Sequence, residues 1–333
     1  MHAWKSRTAV LVAAMITVLA AGCGSAASLA ARAAPEEPDI TVAAIPATDL
    51  AGLYIAQDDG FFAQQGLHVT IEKVASSQAI LASQLKGQVD ISAGSYLAYI
   101  AAQAAGAKFR ILAEASTLEP GTRALVITAG SPIRTVGQLS HAKVGVNGTN
   151  SIGNLLLSMV LAEHGISPKR VDFVTDQKGF PAMPGQLQSG AWDAAFLAEP
   201  YITVAEENYG QQELADLDQG DTTNLPVDGY VATLAWARQH PGTAAAFVRA
   251  IEAGQAIADA QVPAVQSAVG KADNLPPVVT ALMALPGFPT GPVDDTQIQR
   301  IATAMLSFGM LGQQYASEVR QGTLVESMIG PGG

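Results

Sequence analysis

The 333-residue chain has a single cysteine, which excludes an internal disulfide framework, a cysteine-based zinc site and a Cys-x-x-Cys redox pair. Charge is scarce as well. Charged residues make up 14% against 49% hydrophobic, and mean hydropathy is +0.23, so the signature of a disordered chain is absent and a folded protein of about two domains is expected. Basic residues are the minority: 18 Lys and Arg against 29 Asp and Glu leave a formal charge of −11. That balance offers no basic footprint for nucleic acid. Aromatics reach only 6%, which is thin for a site built around a large flat ligand. Catalytic signatures are missing too. His68, His141, His164 and His240 are scattered without metal-ligand spacing, and Asp216, Asp218 and Asp221 do not follow a calcium loop. Gly148 to Gly153 has the skeleton of a phosphate loop, but Asn154 stands where lysine is required. No metal, no cofactor and no catalytic residue is expected, and a binding protein fits better than an enzyme.

What is present begins with an address. Lys5 and Arg7 precede a 14-residue apolar run, Ala9 to Gly22, too short to span a bilayer comfortably, since a helix needs ~20 apolar residues. The pattern is that of an export signal over residues 1–22. Cys23 follows Leu19-Ala20-Ala21-Gly22, which resembles the lipobox of bacterial lipoproteins and implies acylation of Cys23 and a lipid anchor. The stretch from Gly24 to Pro38 is Ala-rich and ends in Pro and Glu, so residues 23–38 read as a lipidated cysteine with a flexible tether. The expected location is outside the cytoplasmic membrane, anchored to it.

The remainder carries one supersecondary plan twice. Ile40–Ala44 and Leu67–Ile71 read as strands around a helical Ala51–Gln65, followed by a helix over Ser77–Leu85 and a strand over Val89–Ala93. The same β-α-β-α-β order returns with Lys143–Asn147, Ser151–His164, Val171–Thr175, Pro184–Ser189 and Ala194–Ala198. Punctuation repeats too: Gly87-x-x-Asp90 and Gly190-x-x-Asp193 each turn a helix into a strand. Alternating elements imply parallel strands with helices on both faces. Two similar α/β lobes are therefore expected, one formed by residues 39–128 and 229–333 and the other by 129–228, with Gly130-Ser131-Pro132 at the first crossing.

In such sheets ligands bind beyond the carboxyl ends of the strands, at loops leading into helix N-termini. The loops so placed carry Thr48 and Asp49; Ser76, Ser77 and Gln78; Ser92, Gly94 and Ser95; Thr149, Asn150 and Ser151; and Glu199 with Tyr201. Small hydroxyl and amide groups suit a compact polar ligand, though the same residue types cap helices. Glu199 could hold an amino or ring N–H group, or serve as a helix-terminal charge before Pro200. Phe180 and Tyr201 could form an apolar wall. No arginine falls at these positions.

Together, Tyr54-Ile55-Ala56, Gly60-Phe61-Phe62, Gly66-Leu67-His68-Val69, Leu85 to Asp90, Val136 to Leu139, Lys143 to Val146 and Gly190 to Ala194 with Glu199-Pro200-Tyr201 resemble one family. It is the solute-binding lipoproteins of bacterial ABC importers, in the branch for nitrate, alkanesulfonates, taurine and thiamine-precursor pyrimidines. The resemblance implies a type 2 periplasmic-binding-protein fold: two lobes joined by two crossings, closing over one solute and presenting it, as a monomer, to a membrane permease with a cytoplasmic ATPase. It further implies that Thr149 to Ser151 would face an anionic group, with Thr48, Ser77 and Ser95 on the opposite wall. Two other functions are compatible with the fold: an enzyme of pyrimidine or menaquinone-precursor synthesis, and a ligand-sensing ectodomain.

Overall fold

The computed structural model describes residues 34–148, 150–176 and 178–329. The export signal, Cys23 and most of the tether lie outside the described residues, as does Thr149. The first half of the chain runs β1 (Asp39–Ala44), α1 (Ala51–Asp58), α2 (Phe61–Gln64), β2 (His68–Lys73), α3 (Ser77–Leu85), β3 (Ile91–Ser95), α4 (Tyr96–Ala104) and β4 (Phe109–Thr117). It continues with β5 (Arg123–Ile127), β6 (Lys143–Val146), α5 (Ile152–Glu163), β7 (Asp172–Thr175), α6 (Met183–Gln188), β8 (Ala194–Ala198), α7 (Tyr201–Tyr209) and β9 (Gln212–Asp216). The return is β10 (Pro226–Thr233) followed by α8 (Leu234–Gln239), α9 (Pro241–Ala260), α10 (Val262–Asp273), α11 (Pro277–Leu282), α12 (Asp295–Ser307), α13 (Ala316–Gln321) and α14 (Thr323–Ile329).

Two five-stranded sheets result, ordered β2-β1-β3-β10-β4 and β7-β6-β8-β5-β9. Each is the same pattern under a relabelling. β3 and β8 are buried along their whole length, as strands covered on both faces must be; β8 is accordingly apolar, while β3 is built of small residues that include Ser92 and Ser95. β2 and β7 stand at sheet edges and are largely exposed, with polar side chains interleaved.

The sheets are mixed. β1 pairs in parallel with β2 and β3, and β6 with β7 and β8, but β10 runs antiparallel to β3 and β4, and β5 antiparallel to β8 and β9. The antiparallel strand in each sheet is the one that has just crossed from the other lobe. This corrects the expected boundary: Arg123–Ile127 belongs to the second sheet, so the first crossing is residues 118–122 and not the Gly130 turn. The crossings at 118–122 and 217–225 touch, with Leu118 N donating to Leu225 O at 2.9 Å.

The repeated Gly-x-x-Asp has one physical role in both lobes. Gly87 and Gly190 take the left-handed conformation, at φ +67° and +76°, which only glycine adopts without strain and which ends the helix. The aspartate then clamps the start of the first strand of its unit. Asp90 Oδ2 accepts from Thr41 N at 2.8 Å while Asp90 N donates to Thr41 O at 3.1 Å. In the second lobe Asp193 Oδ2 accepts from Lys143 N at 2.7 Å, and Asp193 N donates to Lys143 O at 2.9 Å.

The end of the tether is docked. Glu36 accepts from Gly242 N at 3.0 Å and Thr243 N at 2.8 Å, free amides of the first turn of α9. These backbone donors hold its carboxyl at about 2, well below the ordinary value. Glu37 accepts from Trp236 Nε1 at 2.9 Å. The reading of 23–38 as free tether therefore fails at residues 36 and 37.

Candidate functional site

The loops at the carboxyl ends of the parallel strands meet face to face. Thr48 N donates to Glu199 O at 3.1 Å, and Gln78 Nε2 to Asn150 O at 3.3 Å. Gly179, at φ +69°, lies so near Ala75 that a Cβ there would fall 2.6 Å from the Ala75 carbonyl oxygen. The lobes are closed on one another, and the close approach requires glycine.

Several expected site residues have structural duties. Ser76 caps α3, accepting from Ala79 N at 3.3 Å. Ser151 caps α5 in a reciprocal box with Asn154, so the residue standing in the lysine position of a phosphate loop serves the helix end. Ser77 Oγ accepts from Ser95 N at 3.2 Å. Phe180 stacks on Tyr201 at 6.1 Å and 13°, both rings nearly sealed from solvent. Asn150 is exposed at φ +49°.

Two expectations are corrected. Ser92 is fully buried, its one hydroxyl proton is shared between Gln84 Oε1 at 2.9 Å and Val231 O at 3.1 Å, and it accepts from Tyr99 OH at 2.7 Å. It belongs to an interior polar network because its side chain leaves the strand toward α3 and α4. Gly94 is likewise interior: a Cβ there would meet Tyr99 Oη at 3.2 Å and Ile80 Cδ1 and Ser77 Oγ at 3.4 Å.

Glu199 joins the lobes. Its Oε1 accepts from Thr203 Oγ1 at 2.8 Å and from Ala284 N at 3.1 Å, and its Oε2 from Thr203 N at 3.2 Å. Burial outweighs these donors and pushes the carboxyl up to about 6. The carboxylate thus acts as a helix-terminal and interlobe acceptor.

The site's charge centres on Asp49, which was expected, and on Arg123, which was not. Asp49 Oδ1 accepts from Arg123 Nη2 and from Ser116 Oγ, both at 2.6 Å, and both residues are buried. The absence of an arginine from the strand-end loops therefore misled. Arg123 opens the antiparallel strand β5 and so enters the cleft from the side of the sheet that the parallel-strand rule does not cover. Burial works against its charge, but Asp49, Asp218 and Asp228 together outweigh that and hold it above the ordinary arginine value. Asp218 Oδ2 accepts from Arg123 N at 2.6 Å and Thr122 Oγ1 at 2.7 Å, yet burial still pushes it up to about 7.

Unpartnered polar atoms gather here. Among the described residues Asp49 Oδ2, Ser95 Oγ, Arg123 Nε, Tyr54 OH and Asn147 Oδ1 are buried without a hydrogen bond. Such groups are costly unless something else satisfies them. Asn147 directly follows β6, Ser95 ends β3, and Tyr54 on α1 lies in the field of Asp273, Tyr230 and Tyr201 and, more weakly, of Asp49. A signal for Asp228 was available in sequence: it shares a strand face with Tyr230 in β10, a charge in an otherwise apolar run.

With this geometry in place, the comparisons decide the family. The NMT1/THI5-like family model matches residues 47–261, well over half of the chain. The chain belongs to the NMT1/THI5-like family. Solved structures share its periplasmic-binding-protein fold. One is the alkanesulfonate-binding protein SsuA from Xanthomonas axonopodis pv. citri bound to MOPS, with TM-score 0.71 and 15% identity, covering 84% of this chain and 96% of that one. Another is the periplasmic nitrate-binding protein NrtA from Synechocystis PCC 6803, with TM-score 0.70 and 17% identity, covering 87% and 88%. A third, the Candida albicans CA3427 gene product described as having the generic periplasmic binding protein fold, gives TM-score 0.73 and 16% identity, covering 88% and 96%. No curated protein matches by sequence. At these identities the likeness speaks for the fold of this NMT1/THI5-like chain, while its chemistry must be argued from its own residues.

Proposed function

We propose that this protein is the solute-binding component of an ABC importer, a non-enzymatic receptor that closes its lobes on one compact polar solute. The classes in view are sulfonates, taurine, nitrate and thiamine-precursor pyrimidines. The supporting observation is the concentration of unpartnered buried polar atoms where the strand ends of the two lobes converge. A ligand there would satisfy donors and acceptors that the closed protein leaves open. Hinge closure couples such capture to a shape that a permease can read. In this reading Thr48, Asp49, Ser77, Gln78, Ser95 and Asn147 face the solute, Asn150 closes over it, and Cys23 carries the lipid that keeps the receptor at the membrane.

Thermal shift of ligand-stripped protein against these compound classes tests the reading. A ligand at 100 times its Kd adds about 2.7 kcal/mol, enough to raise Tm by several degrees. A shift with one class and no chemical change in the compound is expected; turnover of the compound would instead make the protein an enzyme.

A further inference from the structure

Asp228 is half-buried between the buried Val227 and Gly229 of β10, and it pairs with Ser95 of β3 and, at a register irregularity, with Ser116 of β4. Paired residues in adjacent strands project to the same face, so Ser95, Asp228 and Ser116 form a row across the sheet. Ser116 donates to Asp49 Oδ1, which places Asp49 over the same row. The row is not self-sufficient. Ser95, 3% exposed, has no partner for its hydroxyl among the described residues, and the fully buried Asp49 has none for Oδ2. Asp228 is half-buried, and no described residue donates a hydrogen bond to its carboxylate.

The local charge is unbalanced. Arg123 is the cation that acts on this cluster, and its guanidinium is bound to Asp49 at 2.6 Å while Asp218 holds its backbone amide. Three carboxylates, Asp49, Asp218 and Asp228, thus act electrostatically on one guanidinium, and of the three only Asp49 is bonded to it. Burial and the neighbouring Asp49 charge raise the proton affinity of Asp228, and Arg123 offsets them only in part. A carboxylate in that position gains most from a donor that arrives with the ligand.

We propose that Asp228, flanked by Asp49 Oδ2 and Ser95 Oγ, receives a cationic or N–H-donating end of the solute, so that the cleft selects molecules carrying such an end over those presenting only an anion. This rests on the solute-binding reading above and narrows its ligand class. Glu199 is not the group responsible, because its carboxylate oxygens already hold Thr203 and Ala284.

The test uses matched pairs that differ at the donor group, taurine against ethanesulfonate and 4-aminopyrimidine against 4-methylpyrimidine, titrated calorimetrically into ligand-stripped protein. The donor-bearing member of at least one pair should bind tenfold or more tightly, ~1.4 kcal/mol. Asp228→Asn should abolish that preference, bringing the two members of the pair within twofold of each other, and Asp228→Glu should keep part of it. Should Asp228→Asn fail to fold, Ser95→Ala provides the second variant and should narrow the preference, weakening the donor-bearing member more than the donor-free one. Equal or reversed affinities within every pair overturn the donor inference but leave solute binding standing. Absence of binding by every compound overturns the solute classes proposed above, and this inference with them.

Discussion

Arg123 and Asp228 occupy equivalent places in the two lobes and carry opposite charges. Each lies near the start of the strand that has just crossed from the other lobe, and each pairs with the last residue of a central strand, Arg123 with Ala198 and Asp228 with Ser95. Arg123 is met by Asp49 of the opposite lobe, whereas Asp228 is met by no described donor. One position carries an ion pair supplied by the protein, with only Nε of the Arg123 guanidinium unpartnered, and the other carries none. A repeated architecture therefore does not imply repeated chemistry: the fold supplies two equivalent addresses, and the side chains make one a fastener and the other a receptor.

The largest effect expected from breaking this comparison is at the fastener. Arg123→Met would leave buried Asp49 without its cation, and removal of one member of a buried pair costs about 3–5 kcal/mol. Asp228→Asn at the equivalent position should act in the opposite direction, raising stability by about 1 kcal/mol by removing an unpaired charge. Urea denaturation of both variants would show it; losses of similar size at the two positions would dissolve the distinction.

Next in size is the pH dependence that Glu199 imposes. Its folded carboxyl titrates near 6 rather than the ordinary 4.5, so the folded protein holds that proton more tightly than the unfolded chain. The associated stabilisation is fully present below pH 4.5 and is lost as pH rises through 6, by about 2 kcal/mol at 1.36 kcal/mol per pH unit. Asp218 should add to the same slope, its loss extending to about pH 7. Tm should accordingly fall between pH 5 and 7.5, and Glu199→Gln should flatten the lower part of that decline.

Closure itself can be perturbed at Gly179. An alanine there must hold a backbone at φ +69° and ψ −163°, a region essentially reserved for glycine that costs about 1–3 kcal/mol, and must also push Ala75 away. Small-angle scattering of Gly179→Ala with and without saturating ligand should show a more open average shape and a weaker response to ligand than wild type.

The smallest effect sharpens the likeness instead. Asp90→Ala and Asp193→Ala each remove one hydrogen bond to the first strand of a repeated unit, and each should cost about 1 kcal/mol. Equal losses would support a common role for the two Gly-x-x-Asp turns.

Much of the architecture is legible because local rules act locally. Apolar runs such as Ala194–Ala198 announce buried central strands, Gly87 and Gly190 announce helix ends, and Ser76 and Ser151 announce helix starts. The site is only partly legible. Thr48, Asp49, Ser77, Gln78 and Ser95 fall where the strand-end rule puts them, but Ser92 shows that a hydroxyl one turn of the pleat away points into the core. Arg123 and Asp228 were missed because they enter on antiparallel strands, whose amino ends reach the cleft.

By itself the sequence determined the two-unit plan, the acidic and cysteine-poor character and the punctuation of each unit, since propensity, periodicity and turn chemistry operate over a few residues. Only the tertiary structure decided which sheet received β5, how the lobes meet, and which carboxylates gather around Arg123. Those depend on pairings between residues far apart in the chain, such as Asp49 with Arg123 and Ser95 with Asp228. No local pattern encodes them.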